Sequence, residues 1–161
     1  MTTLDWATVL AAVGEAQTGD PTSGRHRLLA CWAQTTSNDH AYRCVLAHYV
    51  ADLQDSLDDE VVWDSIALEE HAQLNDDALT AVGISDVAGL APSLHLNLGD
   101  GYLRQGRVSE AAEQLRQGQA AVSVLEDDGY GRLVRDGLTR LGARITEAPD
   151  RPMTSRVGPG L

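Results

Sequence analysis

Four thiol and imidazole side chains have types and a spacing that suit metal chemistry. His40, Cys44 and His48 recur every four residues, so on a helix they share one side and could bind an ion such as zinc. Cys31 joins them if residues 37–38 form the turn of an antiparallel hairpin, because Cys31 and Cys44 are nearly equidistant from that turn. The competing interpretation is that both cysteines are small core residues, since the C-x-x-C spacing of structural zinc sites is absent.

Catalytic chemistry has less support in the sequence than metal binding. Cys44 and His48, one helical turn apart, suit a nucleophile and its base, but no third orienting group or oxyanion donor accompanies them. Carboxylate pairs such as Glu60 and Asp64 are typical of a solvent-facing helix surface, and Gly99-x-Gly101 lacks the preceding strand of a dinucleotide-binding loop. The sequence therefore predicts a protein that is not an enzyme and that carries no cofactor.

Charge is concentrated in the middle of the chain. The net charge is −12, and residues 45–102 contain twelve acidic residues and no Arg or Lys. This balance argues against nucleic acid as a partner, because phosphate binding needs a surplus of cations on one face. Two interpretations remain for the acidic middle: a solvated helix surface, or a docking surface for a basic protein or peptide. Four arginines near residues 132–144 also suggest association with the acidic middle of a second copy.

Composition indicates one soluble domain. The 161 residues, of which 43% are hydrophobic, suffice for a single core, and two cysteines do not make a disulfide scaffold. No apolar run is long enough to span a membrane, and the first residues lack a signal-peptide profile, so a cytoplasmic location is expected. We expect residues 1–148 to form the domain and the Pro- and Gly-containing residues 149–161 to be a disordered tail.

About seven helices are predicted to carry these side chains, because apolar residues recur at helical spacing and no strand pattern competes. Asp20 and Pro21 are typical of a helix start, whereas Gly106 suits a left-handed helix end. Residues 75–86 are expected to be a loop with an irregular helical turn. The fourth helix is predicted to bury Val62, and the seventh to bury Leu133. The sixth helix is predicted to have an apolar face that extends to Leu125.

One segment carries a recognisable repeat pattern. Residues 92–125 are 34 residues long and contain His95-x-x-Leu98-Gly99-x-x-Tyr102, then Gly106, then Ala111-x-x-x-Leu115. This pattern resembles the tetratricopeptide repeat, in which small residues let two antiparallel helices approach closely. The segment departs from the repeat at three positions, where His95 replaces a bulky aromatic residue, Gly118 an alanine, and Ser123 a proline.

The resemblance implies an all-α stack of antiparallel helical hairpins, with the seventh helix as a cap. It also implies that the first helix of each pair lines a concave groove, and that Asn97 pairs with the backbone of a bound peptide, although the cations that would hold a peptide carboxylate are missing nearby. The groove residues expected on this basis, with the equivalent position of the third helix included, are Ser93, Leu96, Asn97, Asp100, Leu103 and His48.

Two functions from different classes follow from these observations. The preferred one is a non-enzymatic module that binds a protein or peptide in the groove. The alternative is a helical sensor or enzyme domain that binds a small molecule or metal at Cys31, Cys44 and His48. A groove open to solvent favours the first function, whereas a closed cavity in which the two cysteines and the histidine converge favours the second.

Overall fold

A computed structural model describes residues 3–149, and the predicted all-α class is confirmed there. The disorder predicted for the tail falls almost entirely on residues 150–161, which lie outside the described range. The described residues contain three short 3-10 turns and seven α-helices. The helices are α1 (Trp6–Thr18), α2 (Pro21–Trp32), α3 (His40–Ala51), α4 (Leu57–His71), α5 (Ala91–Arg104), α6 (Val108–Ala120) and α7 (Gly129–Glu147).

Helices that follow one another in the chain pack together. The most extensive contacts join α1 to α2, α3 to α4, and α5 to α6, so six helices form three consecutive pairs. Contacts of α2 with α3 and of α4 with α5 connect the pairs, and α7 packs on both α5 and α6. The first helices α1 and α3 also touch each other.

Helix starts follow the capping signals in the sequence. The Asp20 carboxylate accepts a hydrogen bond from the Ser23 amide at 2.9 Å, with Pro21 in the first turn of α2, as predicted. Asp5 caps α1 in the same way, and Asp128 caps α7 by accepting from the Gly131 amide at 2.7 Å. These side chains satisfy amides that have no partner inside the helix.

The turn between α5 and α6 requires glycine. Gly106 has a φ of +78°, a left-handed conformation that allows the Arg107 amide to donate to the Tyr102 carbonyl at 2.8 Å. At the predicted crossing, a Cβ atom on Gly99 would lie 3.6 Å from the Ala111 carbonyl oxygen and 2.9 Å from the Leu141 Cδ2 atom. The predicted close approach of α5 to α6 at Gly99 is thus confirmed. Helix α7 packs against the same glycine through Leu141.

Buried apolar side chains form separate clusters along the chain. The largest is built by α1, α2 and α3 around Val9, Leu28 and Leu46, and is closed by Leu79 and Val87 from the 72–90 connection. A smaller cluster joins α3, α4 and α5 at Cys44, Ala67 and Leu94, and another lies where α7 meets the segment before it, at Leu125, Val134 and Leu138.

Three details of the predicted helices are wrong. Val62 is 54% exposed and its neighbour Val61 is buried instead, because Val61 shares the inner face of α4 with Ala67. Leu133 is 64% exposed on α7, whereas Val134 occupies the core. The sixth helix ends at Ala120, and residues 122–124 form a separate 3-10 turn that leads to Leu125.

Across residues 3–149, none of the helices combines the length with the apolar character needed to cross a bilayer.

Candidate functional site

A cavity of about 540 Å³ is lined in part by the first helix of each of the three pairs. It is lined by Leu10 and Val13 of α1, by Val45, His48 and Tyr49 of α3, and by Ser93 and Asn97 of α5. Residues of the 82–90 and 124–130 segments complete its walls. We call this cavity the groove. Its volume lies within the range of about 300–1,000 Å³ that is usual for ligand sites.

Apolar side chains at the groove are exposed to solvent. Leu10 is 44% exposed, Val124 is 38% exposed and Tyr130 is 47% exposed, and all three line the groove. They are three of the five large hydrophobic residues that are exposed within residues 3–149. Clustering of exposed apolar groups around one concavity is typical of a binding surface, whereas isolated exposed hydrophobic residues are ordinary.

Polar groups are placed along the same wall. The Tyr130 hydroxyl donates to Ser93 Oγ at 3.0 Å, and Ser93 Oγ donates to the Leu90 carbonyl at 2.9 Å, which fixes the orientation of both side chains. His48 Nδ1 is buried and has no hydrogen-bond partner within the described residues. Burial lowers the pKa of His48, against an opposing effect of Asp52, so the imidazole is neutral at pH 7.

The structure brings three of the predicted groove residues together and places the other three elsewhere. His48, Ser93 and Asn97 line the groove. Leu96 packs against Gly137 of α7, and Asp100 accepts a hydrogen bond from Arg144 at 2.5 Å. The face of α5 that bears these two residues is covered by α7.

Leu103, the last predicted groove residue, lies at the other end of α5. It lines a separate cavity of about 290 Å³, together with Arg104, Val108 and the last described residues, Ala148 and Pro149. The predicted single face of α5 is therefore divided between the groove, the α7 contact and this smaller cavity.

The two cysteines do not join His48 in one site. Cys31 belongs to the large core cluster and Cys44 to the smaller cluster that joins α3, α4 and α5, and neither lines the groove. His40 is hydrogen-bonded through Nδ1 to Glu70 at 2.6 Å, and Arg43 donates to the same carboxylate at 2.6 Å. Among residues 3–149, no three His, Cys, Asp or Glu side chains are arranged to hold a metal ion.

Cys44 is poorly suited to nucleophilic chemistry. Its side chain is fully buried, and burial raises the pKa of the thiol to about 12, with a further contribution from Glu70. The reactive species of cysteine is the thiolate, and the raised pKa disfavours the thiolate of Cys44 at neutral pH.

The solvent-facing position expected for Asp64 from its pairing with Glu60 is wrong, because this carboxyl group is buried. Asp64 is only 3% exposed, and its Oδ1 atom has no hydrogen-bond partner in the described residues. Burial, with smaller contributions from Asp52, Glu60 and Asp100, raises its pKa to about 8, so the side chain is mostly protonated at pH 7. Val61, Asp64 and Ala67 follow one another at three-residue spacing on the inner face of α4, and this spacing was the available signal.

Comparison with protein-family models, with curated proteins and with solved structures found no match to this chain.

Proposed function

We propose that this protein is a non-enzymatic binding module that holds a peptide, or a segment of a partner protein, in the groove. The observation that carries this proposal is that α1, α3 and α5, the first helix of each consecutive pair, all contribute side chains to one cavity. Recruitment of equivalent helices to one concave surface is the arrangement by which helical repeat proteins bind extended ligands.

The proposal includes a tetratricopeptide-like stack of the three pairs, with α7 as the cap. Support comes from the repeat pattern in residues 92–125, from the close approach at Gly99, and from the left-handed turn at Gly106. In such a stack Asn97 projects from the inner helix of the third pair and pairs with the backbone of the bound peptide. The exposed side chains of Leu10, Val124 and Tyr130 supply the apolar contact.

The alternative function, a sensor or enzyme domain at Cys31, Cys44 and His48, has less support. It requires a cavity where the cysteines and the histidine converge, whereas both cysteines are packed in core clusters and only His48 reaches the groove. Buried thiols of this kind are common core residues.

Selection of peptides from a random displayed library against the full-length protein tests the proposal. Binding of the selected peptides is then measured for Asn97→Ala and Gly89→Trp. Gly89 lines the groove, and a Cβ atom at that position would meet no heavy atom within 4 Å, so the added indole obstructs the groove without a backbone clash. We expect both variants to weaken binding by about tenfold or more, a loss of about 1.4 kcal/mol.

Matched controls carry the same chemical changes elsewhere. Asn38→Ala alters an exposed amide in the α2–α3 turn, and Gln119→Trp adds an indole to the exposed end of α6, neither of which lines the groove. Both controls should bind like the unmodified protein. Failure to select any peptide, or equal binding by Gly89→Trp and Gln119→Trp, would overturn the proposal.

A further inference from the structure

We infer that the groove selects peptides in which an arginine or lysine lies next to a large apolar residue. This inference rests on the proposed function and specifies its ligand. It follows from the charges and the exposed apolar groups of the groove.

The groove is acidic and has no basic counterpart among its lining residues. Asp86, Glu126 and Asp128 line it, and no Arg or Lys residue does. His48 is the only ionisable base in the lining, and burial keeps it neutral at pH 7. A ligand with the opposite charge is therefore favoured both during approach and in the bound state.

The arginines of the described residues form their ion pairs away from the groove. Arginine ion pairs in residues 3–149 engage acidic side chains outside the groove, namely Glu15, Asp55, Glu60, Glu70, Asp100, Glu110, Glu113 and Asp127. Asp86, Glu126 and Asp128 take part in none of these pairs. Asp86 and Asp128 accept backbone amide hydrogen bonds at 2.9 and 2.7 Å, which leave further acceptor positions for a ligand.

Arg135, which lies beside the 125–126 segment, is bound to backbone rather than to these carboxylates. Arg135 donates to the Leu125 carbonyl at 2.8 Å and to the Glu126 carbonyl at 3.2 Å. These bonds hold the guanidinium against the 125–126 backbone, and Arg135 does not line the groove. It fixes the segment that carries Glu126 and leaves the Glu126 carboxylate free to meet a ligand cation.

The apolar part of the specificity comes from the exposed groups. Leu10, Val124 and Tyr130 present apolar surface to the groove, so burial of a Leu, Ile or Met side chain there is favourable. Tyr130 also offers an aromatic face to a cation. The chain uses this contact internally, because the guanidinium carbon of Arg107 lies 4.1 Å from the centre of the Tyr102 ring.

A divalent metal ion is a poorer occupant than an organic cation. Metal binding needs several carboxylates or imidazoles around one point, and no such group exists among residues 3–149. A flexible arginine or lysine side chain can reach carboxylates that lie too far apart to share an ion.

The test compares two double variants that remove the same two charges. Asp86→Asn with Glu126→Gln neutralises the groove, and Asn retains the acceptor oxygen that caps the turn at residue 86. Asp59→Asn with Glu69→Gln makes the same chemical changes at exposed positions of α4, outside the groove. Both variants are used in full-length protein against a displayed library of random eight-residue peptides.

We expect the unmodified protein and the α4 control to select peptides enriched in Arg or Lys beside Leu, Ile or Met. The groove variant should lose the enrichment in Arg and Lys and should bind the originally selected peptides about tenfold more weakly, a difference that shrinks in high salt.

Selection of peptides without basic enrichment, or equal loss in both double variants, would overturn the inference while leaving the proposed function intact. Failure to select any peptide would instead overturn the proposed function.

Discussion

The two halves of the chain hold their helices together by different means. In α5–α7, small residues allow close approach: an added Cβ atom would lie 2.9 Å from a leucine methyl group at both Gly99 and Gly118, and 2.6 Å from one at Gly137. In α1–α4, large rings fill the space between helices, as where Trp32 meets Trp63 edge-on at a centroid distance of 4.9 Å.

The aromatic contacts of the first half extend into a polar network. The guanidinium carbon of Arg43 lies 4.1 Å from the centre of the Trp32 ring, and Arg43 also donates to Glu70 of α4. A second ring pair, Trp6 and Tyr42, joins α1 to α3 at 4.4 Å. Gly24, which approaches Ala16 closely, is the exception in this half. The comparison indicates that larger side chains at the close glycine contacts of α5–α7 should destabilise the second half. In the first half, removal of the large aromatic rings should be the destabilising change.

Gly99→Leu should produce the largest effect. The new side chain overlaps Leu141 of α7 and Gln114 of α6, whose Cβ atom would be only 3.2 Å from the added Cβ. Overpacking at this crossing should lower the free energy of unfolding by about 3 kcal/mol. Chemical denaturation measures the loss, and Gly14→Leu is the control, because a Cβ atom there meets nothing within 4 Å. Equal effects of the two changes would remove the contrast between the halves.

Trp32→Ala should be the most damaging truncation in the first half. It removes the edge-on contact with Trp63 and exposes Arg43, so we expect a loss of about 2 kcal/mol. Trp32→Phe keeps an aromatic face for the Arg43 guanidinium and should recover part of that stability in thermal unfolding. If alanine and phenylalanine are equally destabilising, the ring contact does not support this half.

Asp64→Asn tests the junction at which the two halves meet. The native pKa of Asp64 is about 8, above the value of about 3.9 expected in the unfolded chain, so the unfolding free energy contributed by this group falls as pH rises from about 4 to 8. The neutral amide cannot ionise, so the variant should be more stable than the unmodified protein by at least about 1 kcal/mol at pH 8, with the gain vanishing near pH 4. Denaturation curves across this pH range measure the difference. A gain that grows toward acid would show that Asp64 is ionised in the native state.

Asp58→Ala should have the smallest effect. Asp58 is exposed at the start of α4 and accepts a hydrogen bond from Gln105 at 2.7 Å, a contact that solvent readily replaces. We expect a change within about 0.5 kcal/mol in the free energy of unfolding. A loss comparable to that of Gly99→Leu would mean that polar contacts between α4 and α5, rather than glycine crossings, hold the second half in place.

Much of the helical framework could be predicted from the sequence, because local signals determine it. Asp20 with Pro21 marks the start of α2, Gly106 marks the end of α5, and the spacing of Leu98 and Gly99 indicates a close crossing. Faces that depend on the neighbouring helix were predicted less well. Leu133 is apolar at a helical spacing, yet α7 turns Val134 toward the core.

The site was only partly predictable for the same reason. The resemblance to the tetratricopeptide repeat implied His48, Ser93 and Asn97 as groove residues, and all three line the groove. The 82–90 and 124–130 segments also line it, but they have no periodic pattern that could place them. Asp64 was wrongly expected to face solvent because it is charged, although its spacing from Val61 and Ala67 places it on the buried face.

The proposed function places a bound peptide between α1, α3 and α5. Chemical-shift mapping tests it most directly, by titration of isotope-labelled full-length protein with a peptide selected from the displayed library. We predict that the largest amide shifts fall on Leu10, His48, Asn97 and Tyr130, which line the groove, and that α6 is unaffected. Shifts confined to the outer face of α7 around exposed Leu133, with the groove unchanged, would contradict the account.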